Sequence, residues 1–209
     1  MNRRQAVAKF AANRRTKKEL EVLSVASDYF LSHGYQGTSI NAMARDSGIS
    51  KESIYRYFSS KKELFEAVIA KELTKYQEIL NFVDIEVESM TIDEALEKMA
   101  ETTLGAVSTD RTLGLRRLIF QETKKSPDIG QYYYEIGPIR GYRNLEKIFE
   151  FHGETSKFGP EKLARYFLAM LLHHRMLMRQ CGVLKPFTKK ETREIAREVT
   201  RDFRIAFLD

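Results

Sequence analysis

TSINAMARDSGISKESIYRYFSSKKEL, residues Thr38 to Leu64, reads as two very short helices around a tight turn, then a tyrosine-rich exit and a capped third helix. Helices this short are not stable alone in water, because nucleation is costly and few hydrogen bonds follow it. Two of them joined by a Gly-containing turn make a helix-turn-helix, an arrangement that sets its second helix in a DNA major groove. Ala44 sits where the helices cross, Gly48 reverses the chain through a positive φ that suits glycine, and Ile49 plugs the space between them. Ile40, Ile54 and Tyr57 face inward at helical spacing. Lys51, Glu52, Ser53, Tyr55 and Arg56 face outward, where they can reach bases or phosphates. Thr38 is expected to cap a helix from Ser39 to Ser47, and Ser50 the next, from Lys51 to Phe58.

Working outward, a helix from Thr16 to His33 carries an apolar stripe of Val22, Leu23, Ala26, Tyr29 and Phe30, with Gly34 as its left-handed stop. The preceding AVAKFAAN extends that helix or forms a mobile basic arm. Ser60-Lys61-Lys62-Glu63 is a capping box that opens a fourth helix reaching about Asn81. Further helices are expected near Ile92–Val107, Arg111–Lys124, Ile129–Phe151, Glu161–Cys181 and Lys189–Leu208, the last opened by the box Thr188-Lys189-Lys190-Glu191. The expected fold is all-α, with about nine helices: a three-helix DNA-binding head over residues 16–76 (helix-turn-helix 39–58) and a larger helical bundle over 77–209.

Charge supports the division. Residues 1–62 hold 12 Lys and Arg against 5 Asp and Glu, whereas the remainder holds 23 against 24. A basic head on a nearly neutral body is the footprint of a polyanion-binding protein. No apolar run approaches the ~20 residues needed to cross a bilayer. The basic N-terminus lacks a signal core, and the single cysteine, Cys181, permits no internal disulfide, so a cytoplasmic protein is expected. Adjacent His173 and His174 lack the i, i+4 spacing that aims two imidazoles at one metal. Cys181 has no suggestive partner beyond those histidines and is expected in the core rather than as a nucleophile, and no Gly-rich phosphate loop occurs. These features point away from an enzyme, a metal site or a cofactor.

Ala26…Phe30, Gly34-Tyr35, Thr38-Ser39-Ile40, Met43-Ala44, Ser47-Gly48-Ile49-Ser50, Ile54-Tyr55-Arg56-Tyr57-Phe58 and Ser60-Lys61-Lys62-Glu63-Leu64 together resemble the TetR family of bacterial transcriptional regulators. The resemblance covers about Thr16 to Tyr76. Met43 departs from the family's usual Ile, and Glu52 from a frequent Gly. Glu52 can accept from cytosine N4 or simply favour the helix N-terminus. The resemblance implies that Thr38 and Ser39 hold phosphate at a helix start, that Lys51, Ser53 and Tyr55 address base edges and flanking backbone, and that Tyr57 and Lys61 bind backbone. Ser50 and Arg56 complete the expected DNA face. Arg45 is open to two readings, a phosphate contact or part of a solvated face.

Leu115-Arg116-Arg117-Leu118-Ile119-Phe120-Gln121-Glu122, Pro127-Asp128-Ile129, Tyr133-Tyr134-Glu135 and Gly137-Pro138 look like an AcrR/AefR-type C-terminal domain. That resemblance implies ligand sensing, with Met99, Thr103, Leu118, Glu122, Tyr133 and Tyr134 as candidates to line a pocket for a small lipophilic effector if helices four to seven enclose a cavity, or else as members of an ordinary filled core. Phe167, Met170, Leu171, His174 and Met178 recur on one helix, and Ile195, Val199 and Phe203 on the next. Such stripes suit a homodimeric four-helix bundle or a plain intrachain core. The implied function is a homodimeric repressor of a pseudo-palindromic operator, released by its effector. An activator of the same fold, an effector-independent architectural protein and, more distantly, an enzyme with an appended head are the alternatives.

Overall fold

A computed structural model describes residues 16–80, 82–153 and 156–208; AVAKFAAN and the expected helix end at Asn81 lie outside them. No strand occurs among the described residues, and the fold is all-α. The helices are α1 (Lys17–Gly37), α2 (Ile40–Ser47), α3 (Lys51–Tyr57), α4 (Lys61–Leu80), one-turn α5 (Phe82–Ile85), α6 (Ile92–Val107), α7 (Asp110–Thr123), α8 (Pro127–Ile136), α9 (Pro138–His152), α10 (Pro160–Gln180) and α11 (Lys189–Phe207). The single helix predicted over Ile129–Phe151 is therefore two. Gly137, at φ −121° and ψ −91°, cannot continue α8, and Pro138 starts α9 at the position where its missing N–H costs nothing.

The chain forms two compact units: residues to Thr74 together with Gly114–Ile136, and Lys75–Leu113 together with 137–209. This grouping differs from a single division near residue 76, because the hairpin of α7 and α8 joins the first unit. The core of that unit runs through Val22, Leu23, Ala26 and Phe30 of α1, Leu64, Phe65, Val68 and Ile69 of α4, Leu115, Leu118 and Ile119 of α7, and Ile129 of α8. Phe30, Tyr35 and Phe65 cluster there, with Phe65 4.9 Å from each of the other two rings. Polar links fasten the hairpin: Gln36 Nε2 donates to Glu122 at 2.7 Å, and Lys62 pairs with Asp128.

The second unit packs α6, α9, α10 and α11 around Leu96, Met99, Leu104, Leu145, Ile148, Phe149, Phe167, Leu171 and Phe203. Phe203 lies 5.2 Å from Phe167 and 5.7 Å from Phe149. Arg193–Glu101 (3.5 Å), Arg197–Glu97 (3.8 Å) and Arg204–Asp93 (3.0 Å) lace α11 to α6. Both Thr91-Glu94 and Thr188-Glu191 form reciprocal capping boxes at the starts of α6 and α11. Among the described residues no helix is long and apolar enough to cross a membrane.

Candidate nucleic-acid interface

The helix-turn-helix is held from beneath. Gly34 adopts φ 73° and ψ 168° and kinks α1, so the helix bends at the expected stop and continues to Gly37. Ser39, not Thr38, caps α2: its side chain accepts from Ala42 N–H at 3.4 Å. Thr38 is 2% exposed and donates its hydroxyl back to Gly34 O at 2.7 Å. The expected phosphate role of Thr38 is corrected accordingly, since a buried hydroxyl already committed to the kink faces the protein. Gly48 closes α2 at φ 71°. Ile49, 4% exposed, enters the core beside the turn. Ser47 ties the turn together, donating to Met43 O at 2.7 Å and accepting from Ile49 N–H at 3.3 Å.

Beyond the turn, Ser50 caps α3 by accepting from Ser53 N–H at 3.2 Å, and its hydroxyl donates to Ser53 Oγ at 3.0 Å. Ile54 is 1% exposed and is the one fully buried residue of α3; Phe58 anchors the exit. Lys51, Glu52, Tyr55 and Arg56 are exposed, with Ser53 half-buried beside them. The ammonium of Lys51 lies 5.8 Å from the Tyr55 ring centroid, so the two present a joined cationic and aromatic surface. Glu52 stands in the first turn, where the helix dipole favours its charge. Arg56 lies 5.0 Å over the Tyr57 ring and donates to its hydroxyl at 3.4 Å.

Tyr57 is shared between roles. Its ring packs partly against the first core, as its inward spacing suggested. A hydrogen bond with Thr16, then the neighbouring Arg56, holds its phenol below the ordinary tyrosine value. Lys61 opens α4 and donates to Tyr35 O at 3.0 Å and Thr38 O at 3.1 Å, with its ammonium 4.6 Å from the Tyr35 ring. An ammonium has three donors, so this geometry leaves one for an outside oxygen. Glu63 Oε2 accepts from the N–H of Ser59 at 2.8 Å while its own N–H donates to Ser60 Oγ at 3.1 Å. The predicted capping box is therefore present in displaced form. Arg45 is exposed and paired with Asp46 at 3.1 Å, which Tyr29 also engages at 2.9 Å.

The remaining candidates fall elsewhere. Met99 and Thr103 are buried in the second unit, while Leu118, Glu122, Tyr133 and Tyr134 belong to the first. Glu122 is 6% exposed, Tyr134 is 49% exposed, and burial pushes the Tyr133 phenol up. A cleft of about 230 Å³ on the second unit is lined by Asp93, Glu97, Arg197, Thr200, Arg201, Arg204 and Ile205, none of them an expected effector residue. It is also smaller than the ~300 Å³ at which ligand pockets usually begin. Of the expected dimer stripe, Phe167, Leu171, Val199 and Phe203 are core of their own chain at 4% exposure or less, which corrects their assignment to an interface. Met170, Met178 and Ile195 are half-buried, and His174 is exposed. No group of three or more His, Cys, Asp or Glu side chains could hold a metal among the described residues. Cys181 is exposed, which corrects its expected place in the core: it lies just past the end of α10, where the chain turns at the surface.

Sequence reasoning missed Gln36, Lys62 and Asp128 as the residues that fasten the hairpin to the head. No local pattern announces pairs separated by 86 and 66 residues.

Residues 22–68 match the bacterial regulatory proteins of the tetR family, and residues 94–207 match the AefR-like transcriptional repressor C-terminal domain. The HTH-type transcriptional repressor KstR2 of Mycolicibacterium smegmatis is 26% identical over 179 residues, covering 73% of this chain and 87% of its own. A solved TetR-family transcriptional regulator from Mesorhizobium loti MAFF303099 superposes with a TM-score of 0.80 at 25% identity, over 94% of this chain and 100% of that one. The flavonoid-responsive regulator FrrA superposes with a TM-score of 0.74 at 26% identity, over 92% and 97%.

Proposed function

The chain belongs to the TetR family of bacterial regulatory proteins, which are transcriptional regulators and not enzymes, and from that membership we propose a homodimeric, ligand-responsive repressor. The observation that carries the reading is the two-sided α3, rooted by buried Ile54 and presenting Lys51, Glu52, Tyr55 and Arg56 outward. In the proposed complex α3 lies in a major groove. Lys51, Glu52, Ser53 and Tyr55 meet base edges or flanking backbone there, and Ser39, Ser50, Arg56, Tyr57 and Lys61 engage phosphates.

One helix of seven residues reads few bases, so two heads set about one DNA turn apart, ~34 Å, supply the specificity. The dimer contact is assigned to the outer faces of α10 and α11, where Leu177 and Ile205 are 51% and 67% exposed. Repression agrees with the name of KstR2, and ligand response with that of FrrA. The boundary between the compact units falls inside α7, and the α7–α8 hairpin is fastened to the head through Gln36 and Lys62. A ligand that favours one setting of this hairpin would thereby favour one setting of α1 and α4. A hundredfold loss of operator affinity needs about 2.7 kcal/mol of such coupling.

Selection of bound DNA from a random pool tests the reading. An inverted repeat with half-site centres one or more helical turns apart is the expected product, bound by a species of twice the chain mass in sedimentation. A monomer specific for a single half-site would overturn the dimer, and binding without sequence preference would overturn the repressor.

A further inference from the structure

We propose that Arg116, Phe120 and Tyr133, on the α7–α8 hairpin, form a binding site for a small aromatic carboxylate. Arg116 differs from the other arginines that this fold draws inward. Arg179, 5% exposed, donates Nε to Ser108 O at 3.0 Å and one terminal nitrogen to Asp110 at 2.6 Å, and the other terminal nitrogen reaches Leu184 O. Arg175 donates to Met170 O at 3.1 Å and pairs with Glu198 at 3.5 Å. The Arg116 side chain, by contrast, has its Nε buried with no hydrogen-bond acceptor, and no ion pair engages its guanidinium among the described residues. Buried N–H groups of native proteins are nearly always satisfied, and an exception calls for a missing partner.

The surroundings say what kind of partner. One turn further along α7, the Phe120 ring lies 5.8 Å from the guanidinium carbon and is 52% exposed, although it is large and apolar. Tyr133 of α8 meets that ring edge-on at a centroid distance of 6.3 Å. The charge of Arg116 is felt at the Tyr133 phenol, where it opposes the rise caused by burial. On the same helix, the Glu122 carboxylate is engaged by Gln36, which donates to it at 2.7 Å. An unpaired guanidinium suits a carboxylate, which takes two parallel N–H donors. A half-exposed ring with a second ring edge-on beside it suits an aromatic body, which gains offset or edge-to-face contacts that an alkyl chain does not. The same charge disfavours a cationic ligand.

This inference deepens the ligand-responsive part of the proposed function, and its test separates the two. Benzoate, benzamide and acetate are titrated into the full chain by calorimetry, and operator affinity is measured with and without each. Benzoate is expected to bind at least tenfold more tightly than benzamide or acetate. Arg116→Met should lower benzoate affinity by roughly ten- to a hundredfold, the worth of hydrogen bonds to a charged group, with unchanged helicity by circular dichroism. Equal binding of benzoate and benzamide, or no heat from benzoate while the operator is still bound, would overturn the site and leave the regulator standing. Guanidinium-dependent benzoate binding that leaves operator affinity unchanged supports the site and overturns its role as the effector input. Should Arg116→Met unfold, the comparison of benzoate with benzamide on the unaltered chain decides.

Discussion

The pair α2–α3 spans eight and seven residues, whereas α10–α11 spans 21 and 19. The first pair fully buries only Ile40, Met43 and Ile54, with Ala44 and Tyr57 packing partly against the core. It cannot hold itself together, and relies on Gly48, Ile49, Phe58 and the Lys61 clasp on Tyr35 and Thr38. The second pair supplies Phe167, Leu171, Val199 and Phe203 to a core and retains few large apolar groups at its surface, chiefly Leu177 and Ile205. Fully burying such a side chain is worth about 1.5–3 kcal/mol. One pair is therefore presented by the fold, and the other is part of what presents it. Substitutions in the first should alter recognition at nearly constant stability, and those in the second should do the reverse.

The largest expected effect is Phe203→Ala. Phe203 is 0% exposed and touches both Phe149 and Phe167, so the change opens a cavity and should cost about 3–5 kcal/mol in chemical denaturation. Lys51→Ala, at an exposed position, should stay within about 0.5 kcal/mol in the same measurement while changing which DNA sequences are selected. A Phe203→Ala protein that kept its stability but lost its dimer would break the comparison, because the stripe would then be an interface after all.

Lys61→Met sits between the two extremes and divides them. It removes two hydrogen bonds that an ammonium makes to Tyr35 O and Thr38 O, and should cost about 1–3 kcal/mol. If the third donor also meets a phosphate, binding weakens for all sequences and the slope of log affinity against log salt falls by about 1. Lost stability with an unchanged slope would confine Lys61 to the clasp.

The unequal construction also decides what could be read from residues alone. In α3 only one residue is fully buried, so inward and outward positions separate cleanly, and Ile54 against Lys51, Tyr55 and Arg56 was legible. Thr38 and Ser39 are both good caps, and local preference cannot choose between them. The kink at Gly34 does, by supplying a carbonyl to Thr38. In α10–α11 the i, i+4 stripe is genuine, but a stripe has the same period whether it meets its own chain or a second copy. Gly137-Pro138 carried a helix-start signal inside a longer apolar pattern, and the pattern concealed it. The grouping of residues 114–136 with the head was not legible, since it rests on Gln36–Glu122, Lys62–Asp128 and buried contacts far apart in sequence. Arg116 gave no sign either, because an unsatisfied nitrogen exists only once the chain is folded.

The smallest effect expected is one of pH, and it tests whether caps or cores hold α11. Glu191 is kept below the usual carboxylate range by a hydrogen bond from the Thr188 backbone N–H at 2.7 Å, reinforced by the Thr188 hydroxyl. A carboxyl whose folded value is depressed contributes its full share of stability above its unfolded value, ~4.3, and loses that share as pH falls through the folded value. The contribution should therefore be complete at neutral pH and disappear in the acid range below pH ~4.3. Glu191→Gln retains an acceptor for the same N–H but removes the charge. It should lower stability slightly at neutral pH and match the unaltered chain once the acid has protonated Glu191. Curves that stay parallel through the acid range would mean that α11 is held by Phe203 and its neighbours alone, with its capping box contributing nothing that depends on charge.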